Sequence, residues 1–269
     1  MNGYTKEEAQ ARTALIDVDS YDIFLDLAGD PGSFRTQTEI RFRCHQPGAA
    51  SFANLRASTV SLLRLNGRDI DPATVLTGGL LKLDGLAAGN VLTVHTESAY
   101  ALDSDGRGLR RFSDPASGAV YVLASCFPTA GPSIFCCFDQ ADLRAAFTLA
   151  VSAPAGWECV SCGAVTSRPP AGQAGVWRFA TVPAMRPLEL ALAAGPYVTA
   201  PGQESAGPVE LTVRCRATLA GEPGLTRIAG IVRQILEYYE RLLQRPCPTP
   251  STTSCSRPGW ARRPRSCPR

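Results

Sequence analysis

The residues of this chain that could carry out chemistry are ten cysteines, two histidines and a short cluster of aspartates. Cys159 and Cys162 form a lone C-x-x-C, a spacing used by both zinc sites and thioredoxin-like redox sites. Zinc needs four well-placed ligands, and a redox pair must open a helix that follows a strand. Because this pair lies in WECVSCG, between a predicted strand and a turn, we interpret both as buried, inert thiols. Thiol redox or metal chemistry is the alternative.

The other thiols and the imidazoles have no catalytic spacing. Cys136 and Cys137 are adjacent, so their side chains would point apart in a strand and make poor joint ligands. His45 lies in a predicted turn and His95 in the predicted strand LTVHTES, and neither has a second histidine at metal-ligand spacing. We interpret both as structural residues.

The remaining motifs also predict no active site. Asp103, Asp105 and Asp114 cluster in DSDGRGLRRFSDP without the Ca²⁺-loop pattern, so turn capping is their predicted role. The glycines of GDPGSF and GGLLKLDGLAAG precede no helix and form no phosphate cradle. Neither G-x-S-x-G nor H-E-x-x-H occurs. Residue patterns therefore predict no catalytic residue and no metal ligand in this chain.

Composition indicates a globular protein that binds neither nucleic acid nor membrane. The chain has 269 residues, 45 % of them hydrophobic, and a formal net charge of +3. Much of this positive charge comes from five arginines near the end, which are Arg257, Arg262, Arg263, Arg265 and Arg269. The rest is close to neutral, which argues against a nucleic-acid-binding face. No apolar run approaches the ~20 residues of a membrane span, and MNGYTKEEAQ lacks a signal peptide's apolar core. These features predict a cytoplasmic protein.

The elements that would position these residues are mostly strands. Thr5 and Glu8 form a capping box for a short helix over Glu7–Ala14. SYDIFLDLAG and FRTQTEIRFRC then alternate apolar and polar residues and predict antiparallel strands. Further strand segments are TVSLLRLNGRDI with an Asn66-Gly67 hairpin signal, LLKLDGL, NVLTVHTESAY, AVYVLASCF, AAFTLAVSAP, VWRFATV, LELALAAG and VELTVRC. Strands at intervals of about 8–12 residues favour an all-β fold with a large β-sandwich.

The pattern changes toward the end of the chain. A long helix is predicted over Leu225–Gln244, after a Gly- and Ser-rich linker at Pro201–Pro208. Its apolar stripe requires a partner surface and comprises Ile228, Ile231, Val232, Ile235, Tyr239 and Leu242. From residue 246 onward the chain is almost wholly Pro, Arg, Ser, Thr and Cys and cannot bury a core. We therefore expect a β domain over 1–200, the strand and helix of a second domain over 201–245, and a disordered tail over 246–269.

Several motifs together resemble one known family. They are SYDIFLDL, the F-D-x-x-D-L-[KR]-A-x-F signature at Phe138–Phe147, the W-x-x-x-S-x-G turn that begins at Trp157, and the run from Met185 that ends in A-G-P-Y. From Met1 to about Gln244 the chain is similar to the N-terminal domain of zinc aminopeptidases of the aminopeptidase N family. This resemblance implies a saddle-like β-sandwich followed by a thermolysin-like domain, here represented by one strand and one helix.

The resemblance also implies a function. In the family, a G-x-M-E-N loop binds the substrate's amine, an H-E-x-x-H helix with a later glutamate holds zinc, and a tyrosine steadies the transition state. None of these motifs occurs here. We therefore expect a fragment of a zinc aminopeptidase-like protein that removes N-terminal residues from peptides. The fragment itself would be inactive and without cofactor. The alternative is a non-catalytic β-sandwich interaction module whose helix stripe binds a protein partner.

One family site does fall within the chain. A Gln-x-Glu element helps to hold the substrate's amino end, and gapless alignment on the Phe-Asp signature matches it to Ser125 and Phe127. An aromatic ring cannot accept charge-assisted hydrogen bonds as a carboxylate can. The neighbouring charged residues of the family are replaced by PTAGPS at Pro128–Ser133. Altered or lost specificity is one interpretation, and simple packing of Phe127 in the sheet is another.

The tail suggests a frameshift. The family continues after the long helix with a segment such as PYPKYDQLF. Codons for Pro248 to Ser256 can be chosen so that inserting a single G after the first two bases makes them read PYPKYDQLF. We therefore hypothesise a shifted reading frame at or near Pro248, and both a pseudogene product and a sequencing error would produce it.

Overall fold

The computed structural model describes residues 5–102, 106–199, 204–206, 209–222, 224–245 and 251–255. The chain divides into two compact units, one formed by 1–113 with 119–195 and the other by 114–118 with 196–269. Strands make up most of the regular secondary structure of the described residues, and the long helix lies in the second unit. The predicted all-β class is confirmed. Among the described residues no helix is both long and apolar enough to cross a bilayer.

The elements follow one another closely along the chain. The helices are α1 Lys6–Leu15, α2 Pro72–Val75 and α3 Gly224–Leu243. The strands of the first unit are β1 Ile16–Asp26, β2 Ser33–Cys44, β3 Ser51–Asn54, β4 Thr59–Leu65, β5 Arg68–Asp69, β6 Leu76–Thr77, β7 Leu80–Leu83, β8 Gly89–Ala99, β9 Gly108–Ser113, β10 Val120–Ser125, β11 Ala145–Ala153, β12 Glu158–Ser161, β13 Val165–Ser167, β14 Gly175–Phe179, β15 Val182–Met185 and β16 Ala191–Gly195. Those of the second unit are β17 Tyr197–Thr199, β18 Glu204–Ala206, β19 Val209–Arg216 and β20 Ser251–Cys255.

The first unit contains three sheets. The largest has nine strands in the order β13-β14-β11-β1-β2-β8-β4-β5, with β15 paired to β11. A second sheet runs β12-β16-β10-β9 and a third β3-β7-β6. The pairing of β1 with β11 is parallel, and the other pairings of this unit are antiparallel.

Alternating residues of these sheets form one shared core. Ile23 and Leu25 of β1 and Ile40 and Phe42 of β2 are buried, whereas their polar neighbours lie outward. Side chains from all three sheets belong to the same apolar cluster. Burial of each large side chain contributes about 1.5–3 kcal/mol to stability relative to exposure in water. The sandwich predicted from the period-two pattern thus follows from where the apolar residues lie.

Two local predictions are confirmed. Thr5 accepts the backbone N–H of Glu8, and the Glu8 carboxylate accepts that of Thr5, which is the predicted capping box. Asn66 and Gly67 both have positive φ, 53° and 81°, between β4 and β5. This is the conformation of a two-residue hairpin turn and explains why Asn-Gly occurs there.

The second unit is a small sheet with one helix. β19 pairs with β17 and β18, and β20 lies parallel to β19. Leu225 and Ala229 of α3 pack with Val213 and Cys215 of β19. The sheet contains more strands than the single one predicted.

Two short strands lie within segments for which the sequence predicted a linker and a tail. Glu204–Ala206, inside the predicted linker, form β18, and Ser251–Cys255, inside the predicted disordered tail, form β20. Backbone hydrogen bonds to β19 require no apolar side chains, and the threonines of β20 favour extended structure. The rest of the linker, 201–203 and 207–208, lies outside the described residues. So does the rest of the tail, 246–250 and 256–269.

Candidate functional site

Ser125 and Phe127 lie at the end of β10. Ser125 is the last residue of this strand and pairs with Gly108 of β9 and Ala191 of β16. Phe127 follows two residues later, its peptide bond to Pro128 is cis, and its side chain is 66 % exposed. The alternative that Phe127 packs in the sheet is therefore wrong, because its ring projects into solvent from the strand end.

The loop after Phe127 is held from several sides. The backbone N–H of Ala130 donates to the Cys126 carbonyl at 2.8 Å, and the Ser133 hydroxyl donates to the Ala130 carbonyl at 2.7 Å. The Pro132 carbonyl accepts the Arg56 N–H at 2.7 Å. These bonds fix a short 3₁₀ turn at Gly131–Ser133, so the loop is a rigid support beside Phe127.

Gly108 brings this loop close to Ser125. Its φ is +79°, and a Cβ there would lie 3.2 Å from the Ala101 Cβ and 3.3 Å from the Ser133 Oγ. A side chain at this position would be strained and crowded. The strand end, the loop and the start of β9 thus form one small surface with hydroxyl groups and an exposed ring.

This surface has weak chemistry for holding an amine. The carboxyl group of Asp139, which follows the loop, is partly buried, and burial raises its pKa while Arg56 and Arg12 oppose the increase. A phenyl face attracts a cation by about 0.5–1 kcal/mol at exposed sites but accepts no strong hydrogen bond. The surface could therefore attract an ammonium group only weakly.

The Phe138–Phe147 signature has a structural role that its sequence pattern did not reveal. Phe138 is fully buried against Phe42, and Phe147 stacks on Tyr21 with ring centroids 4.4 Å apart. The Tyr21 hydroxyl accepts the Phe138 N–H at 3.0 Å. Two aromatic positions of the signature therefore lie in the core.

Gln140 of the same signature holds α1. Its side-chain oxygen accepts from the buried Arg12 Nε at 2.7 Å. Its nitrogen donates to the Ala9 carbonyl at 2.9 Å and the Thr13 hydroxyl at 2.6 Å. The Arg12 guanidinium also lies 4.5 Å from the centre of the Phe52 ring. The period of α1 alone could not identify this network, because its partner is more than a hundred residues away.

Both C-x-x-C cysteines have environments that raise the pKa of the thiol and so lower its reactivity. Cys159 is buried in β12, and burial raises its pKa to about 12. The Cys162 Sγ accepts the Ala191 N–H at 3.3 Å and donates to the Glu189 carbonyl at 3.4 Å. Burial also raises the pKa of Cys162. Both are free thiols, and Cys159 is buried whereas Cys162 is only partly buried, so the prediction that both are buried holds for Cys159 alone.

Cys136 and Cys137 differ from their prediction. They lie outside the named strands, where Cys137 and Asn54 exchange backbone hydrogen bonds of 2.7 and 3.0 Å. Both side chains are buried, and burial raises the pKa of Cys136 to about 12. The strand pattern failed because the preceding 3₁₀ turn interrupts it.

The histidines are far from any ligand set. The His45 Nε2 lies 3.2 Å from the Asp17 carboxylate. His95 lies in β8, and its pKa is lowered by partial burial and by Arg64. Within the described ranges, no three His, Cys, Asp or Glu side chains could together hold a metal ion. These residues do not fit the zinc that the family resemblance implies.

Of the three clustered aspartates, Asp114 is the one whose hydrogen-bond partners the structure describes. It accepts the Ala116 N–H at 3.2 Å and the Ser117 hydroxyl at 3.0 Å, which confirms turn capping at this position. It also accepts the Thr218 hydroxyl and pairs with Arg216, both at 2.7 Å. The Thr218 hydrogen bond is the main cause of its lowered pKa. Asp103 and Asp105 lie outside the described residues.

The predicted stripe of α3 divides between two faces. Ile228 and Val232 are partly buried and pack against the sheet side. Ile231, Ile235 and Leu242 are 43 %, 48 % and 60 % exposed. With Tyr238, which is also exposed, they recur every three or four residues on one side. We call Ile231, Ile235, Tyr238 and Leu242 the exposed face of α3.

The comparisons with known proteins agree with the resemblance. No family model matches the chain. The chain is 35 % identical over 241 residues to Aminopeptidase N from Streptomyces lividans, an alignment that covers 88 % of this chain and 27 % of that protein. The chain thus spans about a quarter of the length of the curated relative it matches. With this identity over nearly the whole chain, the chain belongs to the aminopeptidase N family.

Proposed function

We propose that this chain is an N-terminal fragment of a zinc aminopeptidase-like protein, and that the fragment alone is inactive. The parental reaction would be hydrolytic removal of N-terminal amino acids from peptides. The observation that carries the proposal is the alignment, which covers 88 % of this chain but 27 % of an aminopeptidase N. The parental substrates and the zinc would belong to the longer protein.

The proposed inactivity rests on the donor set of the chain. Zinc catalysis of peptide hydrolysis needs protein ligands that leave the metal one open position, where it lowers the pKa of bound water to about 7. The sequence has two histidines, His45 and His95, and no H-E-x-x-H. His45 follows the end of β2, whereas His95 lies within β8. Among the residues that the structure describes, no group of three His, Cys, Asp or Glu side chains could hold a catalytic zinc.

Ser125 and Phe127 support a further part of the proposal. They occupy the positions of the family's Gln and Glu, and neither supplies a carboxylate for a substrate ammonium group. We infer that a longer protein with this N-terminal domain would bind the amino end of peptides more weakly than its relatives do.

The test is turnover of alanine p-nitroanilide by the purified chain with added zinc. A full-length aminopeptidase N at the same concentration is the positive control, and metal content is measured by mass spectrometry. We expect no release of p-nitroaniline above the buffer rate and less than one zinc per chain. Turnover that co-purifies with one bound zinc would contradict the proposal.

We place the proposed protein in the cytoplasm. The seven cysteines whose side chains the structure describes are free thiols, and disulfides are rare in the reducing cytosol. This supports the location, which imaging of a fluorescent fusion would test.

The exposed face of α3 favours a second candidate function, that of an interaction module. Arg227 and Arg241 each lie seven residues from Gln234, one before it and one after it, so they follow one edge of this face. The partner whose chemistry fits is therefore an amphipathic helix with an apolar stripe and acidic flanks.

A pair of synthetic peptides tests this candidate. Both are 20-residue amphipathic helices with leucine at the stripe positions, one with glutamate and the other with lysine elsewhere. The glutamate peptide should bind by calorimetry and the lysine peptide should not. Ile235→Glu should abolish binding. Equal binding of both peptides, or binding that survives Ile235→Glu, would rule out this surface.

A further inference from the structure

The first unit contains a cavity of about 460 Å³ whose lining includes neither Ser125 nor Phe127. Its volume lies within the range of small-molecule sites. It is lined by Trp157, Glu158, Arg168, Pro169, Gln173 and Trp177. These residues come from the turn before β12, the loop between β13 and β14, and β14 itself.

The walls of the cavity are fixed by backbone contacts. The Trp157 N–H donates to the Pro154 carbonyl at 3.3 Å, and the Gln173 N–H donates to the Pro170 carbonyl at 3.0 Å. Gly175 lies so close to Pro169 that a Cβ on it would be 2.9 Å from the proline Cβ. The loop is therefore packed tightly against the start of β14, and the cavity is preformed.

Trp177 lacks an acceptor for its indole N–H. The side chain is 4 % exposed, and its Nε1 is buried without a hydrogen-bond partner. A buried tryptophan N–H usually finds an acceptor, because leaving it unpaired costs free energy. An oxygen of a bound molecule could supply this acceptor, since Trp177 lines the cavity.

The lining combines flat apolar groups with polar groups of both signs. Trp157 and Pro169 offer apolar surfaces, whereas Glu158, Arg168 and Gln173 offer acceptors and donors. A ligand with a strong charge would meet a side chain of its own sign. A neutral sugar fits better, because its C–H face can stack on an indole while its hydroxyls pair with the polar groups.

A second concavity indicates the length of the ligand. It has a volume of about 320 Å³, is lined by Val165, Thr166 and Ser167, and shares Arg168 and Trp177 with the first. We propose that the two concavities together bind a neutral oligosaccharide, with one sugar ring stacked on Trp157 and the chain continuing past Arg168. This site is independent of the proposed aminopeptidase parentage.

Tryptophan fluorescence of the full chain tests the proposal. The chain has three tryptophans, and Trp260→Phe removes the one that lies outside the described residues. The probes are glucose, maltotetraose, cellotetraose and chitotetraose. At least one tetrasaccharide should cause a saturable change and bind more tightly than glucose. Trp157→Ala should weaken this binding about tenfold, equivalent to ~1.4 kcal/mol.

Matched variants and probes make the outcome decisive. Arg168→Ala should weaken binding, whereas Arg178→Ala, on β14 but outside both concavities, should not. Circular dichroism checks folding, and Arg168→Ala decides the result if Trp157→Ala unfolds. The proposal is overturned if no tetrasaccharide binds below about 10 mM. It is also overturned if Arg168→Ala has no effect, or if only a sulfated oligosaccharide or a proline-rich peptide binds.

Discussion

At the scale of single residues, Gln140 lies in the segment of the family signature, at a position that the signature leaves open, and serves structure. It accepts from a buried arginine and donates to two groups of α1. Arg12 is 4 % exposed, so neutral hydrogen-bond acceptors inside the protein must stabilise its guanidinium charge. Sequence alone predicted α1 and its cap, since both depend on neighbours in the chain. It could not predict the attachment, which depends on a distant glutamine.

Replacement of this residue should destabilise the first unit. Gln140→Ala removes three hydrogen bonds, one of them from a buried charged group, so we expect a loss of about 2–4 kcal/mol in unfolding free energy. Urea unfolding followed by circular dichroism measures it. Glu39→Ala, which breaks an exposed ion pair with Arg41, should cost less than about 1 kcal/mol. Equal costs for the two variants would show that the buried network adds nothing.

The thiols allow a second prediction, concerning pH. Burial raises the pKa of Cys136 and of Cys159 to about 12 and also raises that of Cys162. A raised thiol pKa keeps the unreactive protonated form at pH 8. Iodoacetamide should therefore label these cysteines much more slowly in the native protein than in guanidinium, as followed by peptide mass spectrometry. Fast native labelling of Cys159 and Cys162 would instead favour a redox pair.

Phe127 marks the limit of prediction at this scale. The resemblance placed it at a substrate-binding position, but the pattern AVYVLASCF continues apolar through Phe127 and suggested packing. The strand ends at Ser125, and the ring lies in solvent. Strand ends depend on partners in the sheet, so the sequence could not decide between the two interpretations.

At the scale of elements, the strands with regular alternation were predictable and their partners were not. β1 and β2 are joined by a short turn, so their antiparallel pairing follows from the sequence. The parallel pairing of β1 with β11 joins segments more than a hundred residues apart. Short strands such as β9 and β18 carry too few apolar residues to be recognised. The alternation of apolar and polar side chains indicates which face of a strand is buried. It carries little information about which strands form backbone hydrogen bonds with each other.

The two faces of α3 give a matched test at this scale. Leu225 is 5 % exposed and packs against the sheet, whereas Leu242 is 60 % exposed. Leu225→Ala should cost about 2–4 kcal/mol through lost burial and an unfilled cavity. Leu242→Ala should cost less than about 0.5 kcal/mol. Hydrogen exchange of the α3 amides, read by mass spectrometry, compares the two variants. Equal protection in both would mean that the helix does not pack as described.

At the scale of the whole molecule, the family relationship covers both compact units. The alignment covers 88 % of the chain, so the unaligned residues can include a segment that differs from the relative. The tail from residue 246 has the composition of a sequence that cannot bury a core. Yet β20 within it pairs with β19, where the resemblance predicts a strand-forming segment.

The frameshift hypothesis leads to a definite expectation for the gene. If the reading frame shifts at or near Pro248, the nucleotides after codon 247 should encode PYPKYDQLF, or a close relative, in the next frame. Further along that frame they should encode G-x-M-E-N and H-E-x-x-H. A frameshift changes the encoded amino acids but leaves the order of the other nucleotides unchanged. The original codons should therefore still be present, in the next frame, in the nucleotides that now encode Pro248–Ser256. Resequencing genomic DNA and messenger RNA across this point measures it and separates a sequencing error from a true shift. A next frame that stops early or encodes no such motif would rule the hypothesis out.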